Sequence, residues 1–256
     1  ITSFYNKREK CEMLDKGMAK FFTPIYECTP IRTNDYSERS ILGRNIRGKH
    51  AEQYQGELIE ITCLEQGNLF TTLEFVYSLK GTNYCSVVFK MYHSLPKIDF
   101  KLKLAKTISN NIESIYLPLT LSIPESKIYL QKGAEPFLPG LEQLPGTCME
   151  YYMSDYGMIY QTSKGCVSIQ TLDTPLFYMG ELKHHPIKLC DRKLENNHRD
   201  IYSWVMNNTW ETNFKMDLSG YAEFCYSIFL SENQEPEKCF DELLDRSLGT
   251  YTIIYE

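Results

Sequence analysis

The sequence predicts an all-β chain, a large antiparallel sandwich with one short helix near its C-terminus. Short apolar–polar alternations recur at close intervals and are separated by turn residues, not by helical periods. Tyr and Phe are abundant, at 19 and 13, against 14 Gly, a balance that suits pleated, half-buried surfaces better than a nucleotide-binding α/β layout. With 256 residues, 43% of them hydrophobic, the chain has the apolar material for a full core. No low-complexity linker and no internal repeat divides it. Residues 1–256 therefore read as a single β-sandwich domain.

Taken in order, Ile1 to Tyr5 alternates like a strand, and the charged turn Asn6-Lys7-Arg8-Glu9-Lys10 leads to a hairpin partner over Cys11 to Leu14. Phe21-Phe22-Thr23-Pro24-Ile25-Tyr26 is a second apolar run, in which Pro24 suggests an edge strand or a loop. Residues 32–53 are polar with no clean period, a long loop or a short surface helix. Strands then follow closely: Glu57 to Leu64, Leu69 to Leu79, Tyr84 to Tyr92 and Ile98 to Ile108. Gly67-Asn68 and Lys80-Gly81-Thr82-Asn83 supply the turns between the first three. Within the fourth, Phe100, Leu102 and Leu104 point one way while Lys101, Lys103 and Ala105 point the other. Further strands are read over Ile115 to Ile123, Lys127 to Gln131, Gly157 to Gln161, Val167 to Leu172, Phe177 to Gly180, Ile201 to Met206 and Tyr221 to Leu230. Only Glu235 to Leu248 has a helical signature, with Phe240, Leu243 and Leu244 opposite a charged side.

Composition excludes some partners. A formal charge of −6 and a pI near 5.5 argue against a nucleic-acid footprint, which needs a basic face. Nothing approaches the length of apolar run that spans a membrane as a helix. The nine cysteines never form a Cys-x-x-Cys pair, so scattered buried thiols in a reducing cytoplasm fit better than a disulfide framework or a structural zinc. Asn207-Asn208-Thr209 is formally a glycosylation sequon, discounted because no secretory signature surrounds it. The chain starts at Ile1 in mid-strand, and reads as a piece cut from something larger.

The most mixed window is Tyr202 to Phe214, which holds both tryptophans and three carboxamides. Apolar residues at 202, 204 and 206 give a strand with one well-buried face. Asn207, Asn208, Trp210 and Asn213 then set amides beside an indole. Such a surface suits carbohydrate, the indole face lying on the C–H side of a pyranose and the amides bonding its hydroxyls. The competing reading is a strand leaving the core through an Asn-rich turn, its amides bonding local backbone. Glu142 and Asp173, both near loops, are further candidate carbohydrate contacts, although the favoured reading of Asp173 is a local turn cap before Thr174-Pro175. Other loop carboxylates, Glu135, Glu150, Asp155 and Glu211, show no spacing that sets a glycosidase pair. His184-His185 fall on opposite faces of a strand and do not make a metal site, and His93 and His198 stand alone. Without a Gly-x-Ser-x-Gly or a phosphate loop, no self-contained active site is expected, and no catalytic residue is assigned.

Several stretches together resemble a known family. They are Ile1 to Lys7 with Glu12-Met13-Leu14-Asp15; Leu95-Pro96-Lys97-Ile98-Asp99-Phe100; Glu142-Gln143-Leu144-Pro145-Gly146-Thr147; Leu172 to Leu176; and Ser203 to Phe214. In this order they resemble the C-terminal β-domain of glycoside hydrolase family 38, the α-mannosidase-like enzymes, over Ile1 to about Leu230. The resemblance implies a β-supersandwich of the galactose-mutarotase-like kind that braces an upstream catalytic barrel of the same polypeptide and lends loops to its sugar pocket. It also implies that the zinc, its ligands and the nucleophile belong to that barrel, leaving no cofactor in this chain. Carbohydrate and the catalytic domain are then the expected partners. Two alternatives stay open: a stand-alone sugar mutarotase or epimerase, with Glu142 or Glu211 facing His93 or His184, and a ligand-free structural sandwich.

Overall fold

The computed structural model describes residues 1–7, 10–29, 51–133, 135–183, 188–191, 200–208 and 217–248. The strands in chain order are β1 (Tyr5–Asn6), β2 (Cys11–Glu12), β3 (Ile25–Thr29), β4 (Glu52–Gln55), β5 (Glu57–Gln66), β6 (Phe70–Ser78), β7 (Thr82–Tyr92), β8 (Lys97–Lys106), β9 (Ile112–Pro118), β10 (Lys127–Gln131), β11 (Pro136–Phe137), β12 (Tyr151–Met153), β13 (Gly157–Thr162), β14 (Gly165–Gln170), β15 (Leu176–Met179), β16 (Ile201–Asn207) and β17 (Gly220–Ser231). One helix, α1 (Pro236–Leu248), follows.

Two large sheets carry the fold. Nine strands run in the order β11-β10-β13-β14-β17-β8-β7-β6-β5, and six in the order β12-β15-β16-β9-β3-β4; β1 and β2 form a separate ribbon. Neighbours pair antiparallel in the ladders of both large sheets. The chain is all-β, as its alternation predicts, with α1 as the described helix.

The core lies between the two sheets. Phe100, Leu102 and Leu104 of β8, Val87 and Phe89 of β7, and Tyr226 and Ile228 of β17 face Ile115 and Leu117 of β9, Phe177 of β15 and Ile201 of β16. Burial of this apolar surface is the main stabilising term. Phe21 and Phe22 drive into it from the segment before β3. The Phe22 ring stacks 4.1 Å from Phe100 and meets Tyr226 edge-on at 5.6 Å. To reach that position Phe22 adopts a φ of 51°, a left-handed conformation costly for a bulky side chain and held here by the surrounding aromatic contacts. The β6–β7 turn needs Gly81. Its φ is +78°, and an added Cβ would sit 2.7 Å from the Tyr26 ring.

Pro24 takes the loop alternative: it lies just before β3, which is flanked by β9 and β4, and its carbonyl accepts from the Gly56 amide at 2.8 Å. Two sequence readings are corrected. The stretch 32–53 lies outside the described residues except at its end, where Glu52 and Gln53 pair with β3 as strand. All nine cysteines are free, yet Cys63 and Cys225 are exposed, so the thiols are not uniformly buried. Among the described residues no helix is long and apolar enough to cross a membrane.

Candidate functional site

The outer face of the nine-stranded sheet is half covered. α1 has the acidic Glu237 in its first turn and Arg246 in its last, the arrangement that suits a helix dipole. It buries Cys239, Phe240 and Leu243 against Ile159 of β13, Cys166 of β14 and Phe229 of β17. Its C-terminal end is fastened to the sheet: the Gln170 amide donates to the Leu243 carbonyl at 3.1 Å, and the Arg246 guanidinium lies 4.2 Å above the Phe229 ring. Beyond that point no described helix covers the outer faces of β17, β8, β7 and β6. They form a trough of about 480 Å³, walled on one side by Arg246.

Strand alternation decides what lines it. On β8 the even positions enter the core, so Lys97, Asp99, Lys101 and Lys103 all project outward. Antiparallel register then lays residues from distant segments in rows across the sheet. One row is Thr72–Lys90–Asp99–Ser227–Gln170, each directly opposite the next. The neighbouring row is Glu74–Val88–Lys101–Cys225. All of these except Glu74 line the trough.

The charges are unequally committed. Lys97 pairs with Asp99 at 3.0 Å, Lys101 with Glu223 at 2.8 Å and Lys103 with Glu74 at 3.3 Å. Asp99 also accepts from the Tyr92 hydroxyl at 2.7 Å and from the Ser227 hydroxyl. Burial alone would raise its pKa, but the Ser227 and Tyr92 hydroxyls and the Lys97 ammonium outweigh burial and hold it below the usual carboxylate range. Glu74 behaves alike: burial is outweighed by the hydroxyls of Ser86 and Tyr84 and by Lys103. The contact with Glu223 raises the pKa of Lys101, keeping it charged. Lys90 and Arg246 differ from the other lining cations. Their charges rest over aromatic rings, Lys90 at 3.8 Å from the centre of Phe70, and neither has an acidic partner among the described residues.

The residues expected to contact carbohydrate are dispersed. Asn208 is buried, and both ends of its amide are taken: its oxygen accepts from the Glu113 amide at 2.6 Å and its nitrogen donates to the Asn111 carbonyl at 2.9 Å. It straps the end of β16 to the start of β9, a backbone role like the one that competed with carbohydrate contact, but made across the fold and not within a local turn. Asn207 is half-buried and pairs with Ser114 in the ladder. Trp210 and Asn213 lie outside the described residues, as do Glu211 and His184-His185. Glu142 accepts from the Leu138 amide at 2.8 Å and closes a turn after β11. Asp173 is the one that borders the trough: it accepts from the backbone amide of Cys225 at 2.7 Å, and Leu172 beside it is a lining residue. It therefore bonds across to β17 and not within its own turn.

The described part of the 202–214 window differs from a strand with one buried face. Tyr202 packs with Tyr116 and Tyr178 on the outer side, while Ser203 points inward and bonds the Tyr226 hydroxyl at 3.0 Å. β16 is buried on both faces, and a register shift between Trp204 and Met206 turns Val205 and Met206 toward the core. Trp204 stacks on Tyr116 at 5.5 Å, so this indole belongs to a packed aromatic layer. Glu142 and His93 sit after β11 and β7, six strand positions apart in the sheet. His93 bonds Thr71 at 3.0 Å and the Asn68 carbonyl at 3.0 Å. Among the described residues no cluster of three or more His, Cys, Asp or Glu side chains can hold a metal ion, so these residues do not fit a zinc site.

Comparison with solved structures places this architecture. The crystal structure of an alpha-mannosidase from Enterococcus faecalis V583 is similar over 96% of this chain, with a TM-score of 0.61 and 8% sequence identity. The chain spans 29% of the length of that protein. No protein-family profile matches the chain, and no curated sequence does. The likeness is one of fold, and it agrees with the β-domain that the sequence motifs resemble.

Proposed function

We propose that the chain is a carbohydrate-associated accessory β-domain of an α-mannosidase-like glycoside hydrolase, bracing a catalytic domain of the same polypeptide. The observation that carries this reading is the fold likeness, which takes in 96% of this chain but only 29% of the larger enzyme. The surface supports it. Among the described residues β5 is an edge strand of ten residues, exposed along nearly its whole length, and Leu58, Ile59, Ile61 and Leu64 are 49%, 65%, 55% and 50% exposed. A long edge with apolar side chains invites pairing or burial against another body, and a bracing domain would present such an edge to its catalytic partner. Zinc and the nucleophile would belong to that partner.

Of the proposed sugar contacts, Trp210 is the stacking platform, with Asn207 and Asn213 as hydroxyl partners. Asn208 ranks after them, because its amide is already bonded at both ends. Glu142 and Asp173 rank below, because both already accept backbone hydrogen bonds. The reading is tested by aryl α-mannoside hydrolysis. Turnover is expected only in a polypeptide that includes the catalytic domain, and Trp210→Ala there should raise KM several-fold. An unchanged KM would remove Trp210 from the site.

A further inference from the structure

We propose that the trough on the nine-stranded sheet is a binding site for a small hydroxylated anion, a sugar acid or a sugar phosphate. The anion site stands on the trough's own geometry; only the assignment to sugars leans on the function proposed above. Three features carry it.

The first is charge. Among the described residues the trough is lined by Lys90, Lys97, Lys101, Lys103 and Arg246 against one lining carboxylate, Asp99, on a chain whose formal charge is −6. Three of these lysines are held by acids, which orients them and lowers their appetite for a ligand. Lys90 and Arg246 are not, and they lie apart across the trough: Lys90 on β7, Arg246 above Phe229 of β17. Two strand spacings, about 10 Å, separate β7 from β17. A monosaccharide with one charged substituent bridges that span, and a partly dehydrated anion between two cations makes the strong class of hydrogen bond.

The second is the polar row that runs across the trough floor through Lys90, with Asp99 and Ser227 next to it toward β17. Thr72, Asp99, Ser227 and Gln170 present two hydroxyls, a carboxylate and an amide side by side. Asp99 accepts from Ser227, Tyr92 and Lys97, and a carboxylate has about four acceptor positions, so one is left for a ligand hydroxyl. Its depressed pKa keeps it ionised as an acceptor at neutral pH.

The third is size and composition. A volume of about 480 Å³ falls within the roughly 300–1,000 Å³ common for small-ligand sites. With two cations free of acidic partners among the described residues of an acidic protein, the site suits one or two negative charges and not a polyanion.

The test uses calorimetry on the chain with glucuronate, glucose 6-phosphate, glucose and inorganic phosphate, at low and high salt. One or both charged sugars should bind, more weakly at high salt, and whichever binds tighter identifies carboxylate or phosphate as the anion. Lys90→Gln and Arg246→Gln, both surface changes, should each weaken binding about tenfold or more. Lys127→Gln, on an outer strand away from the trough, should not. Thiol labelling gives a second readout. Cys225 lines the trough and Cys63 lies on β5, and both are exposed, so the ligand should protect Cys225 alone. The proposal is overturned if neither charged sugar binds, or if the double variant binds them as well as the parent. Inorganic phosphate or glucose binding as tightly as the charged sugars would overturn the sugar-anion assignment. None of these outcomes bears on whether the catalytic partner needs this domain, which hydrolysis measures separately.

Discussion

The Lys106–Glu113 pair is the most heavily buried charge in the described residues' ion-pair network, with both side chains 2% exposed and 2.8 Å apart. Tyr26 donates to the same Glu113 oxygen, Lys106 also donates to the Thr107 carbonyl at 2.8 Å, and Asn208 holds the Glu113 backbone. Burial pushes the Tyr26 phenol well above its ordinary range, and the Glu113 contact adds to it, so Tyr26 stays a donor. A buried pair is a weak net stabiliser when intact and a costly loss when halved. Lys106→Met should therefore lower stability by about 3–5 kcal/mol in denaturant unfolding, and pairing it with Glu113→Leu should recover most of that. A loss under about 1 kcal/mol in the single variant would show that Glu113 finds another cation. Asp99 has a pH signature. Its folded-state pKa is depressed, so its contribution is present above the unfolded value, about 3.9, and is lost as pH falls through the lower folded value. Asp99→Asn should cost on the order of 1 kcal/mol at neutral pH, and the gap from the parent should close on acidification. A gap that stays constant with pH would remove the ionised carboxylate as its cause.

At the scale of elements, legibility follows burial. β5 to β8 are read from the sequence nearly to their ends, because turn residues punctuate them and β8 keeps one face in the core and the other outward in strict alternation. α1 is equally clear: Pro236–Leu248 against an expected Glu235 to Leu248. β16 misleads because aromatic packing outside and core packing inside bury both faces, leaving no polar alternation to read. β12, only three residues long, carries too short a pattern to register. The helix has a testable role as the trough's wall. Leu243 is fully buried beneath it, and Leu243→Ala should destabilise the chain by about 2–5 kcal/mol and raise hydrogen exchange in α1 above that of β8. Equal exchange in both would mean that α1 docks without this contact. On β5, Ile59→Lys and Ile61→Lys should change stability in denaturant unfolding by no more than about 0.5 kcal/mol, since both side chains are exposed; a larger loss would show that they pack within the chain.

At the scale of the whole molecule, the sandwich could be inferred from local pattern, but the trough could not. Its central row draws Thr72, Lys90, Asp99, Ser227 and Gln170 from five strands, and only antiparallel register places them together. The outward alternation of Lys101 and Lys103 was the visible signal; their acidic partners on β6 and β17 were not. The 202–214 window showed its polar–aromatic character in sequence, yet its described half serves packing and strand strapping. What connects the scales is an incomplete surface: a closed core, one half-covered sheet face, and an apolar edge on β5. As a proposed bracing domain, this chain should cleave no mannoside itself. The deciding experiment is the rate of aryl α-mannoside hydrolysis by the purified chain, by a separately produced catalytic domain, and by the two mixed. Expected are no turnover by the chain alone, a feeble or unstable catalytic domain, and a gain on mixing that Ile59→Lys with Ile61→Lys diminishes. Robust turnover by the chain alone, or a catalytic domain indifferent to its addition, would contradict the bracing role.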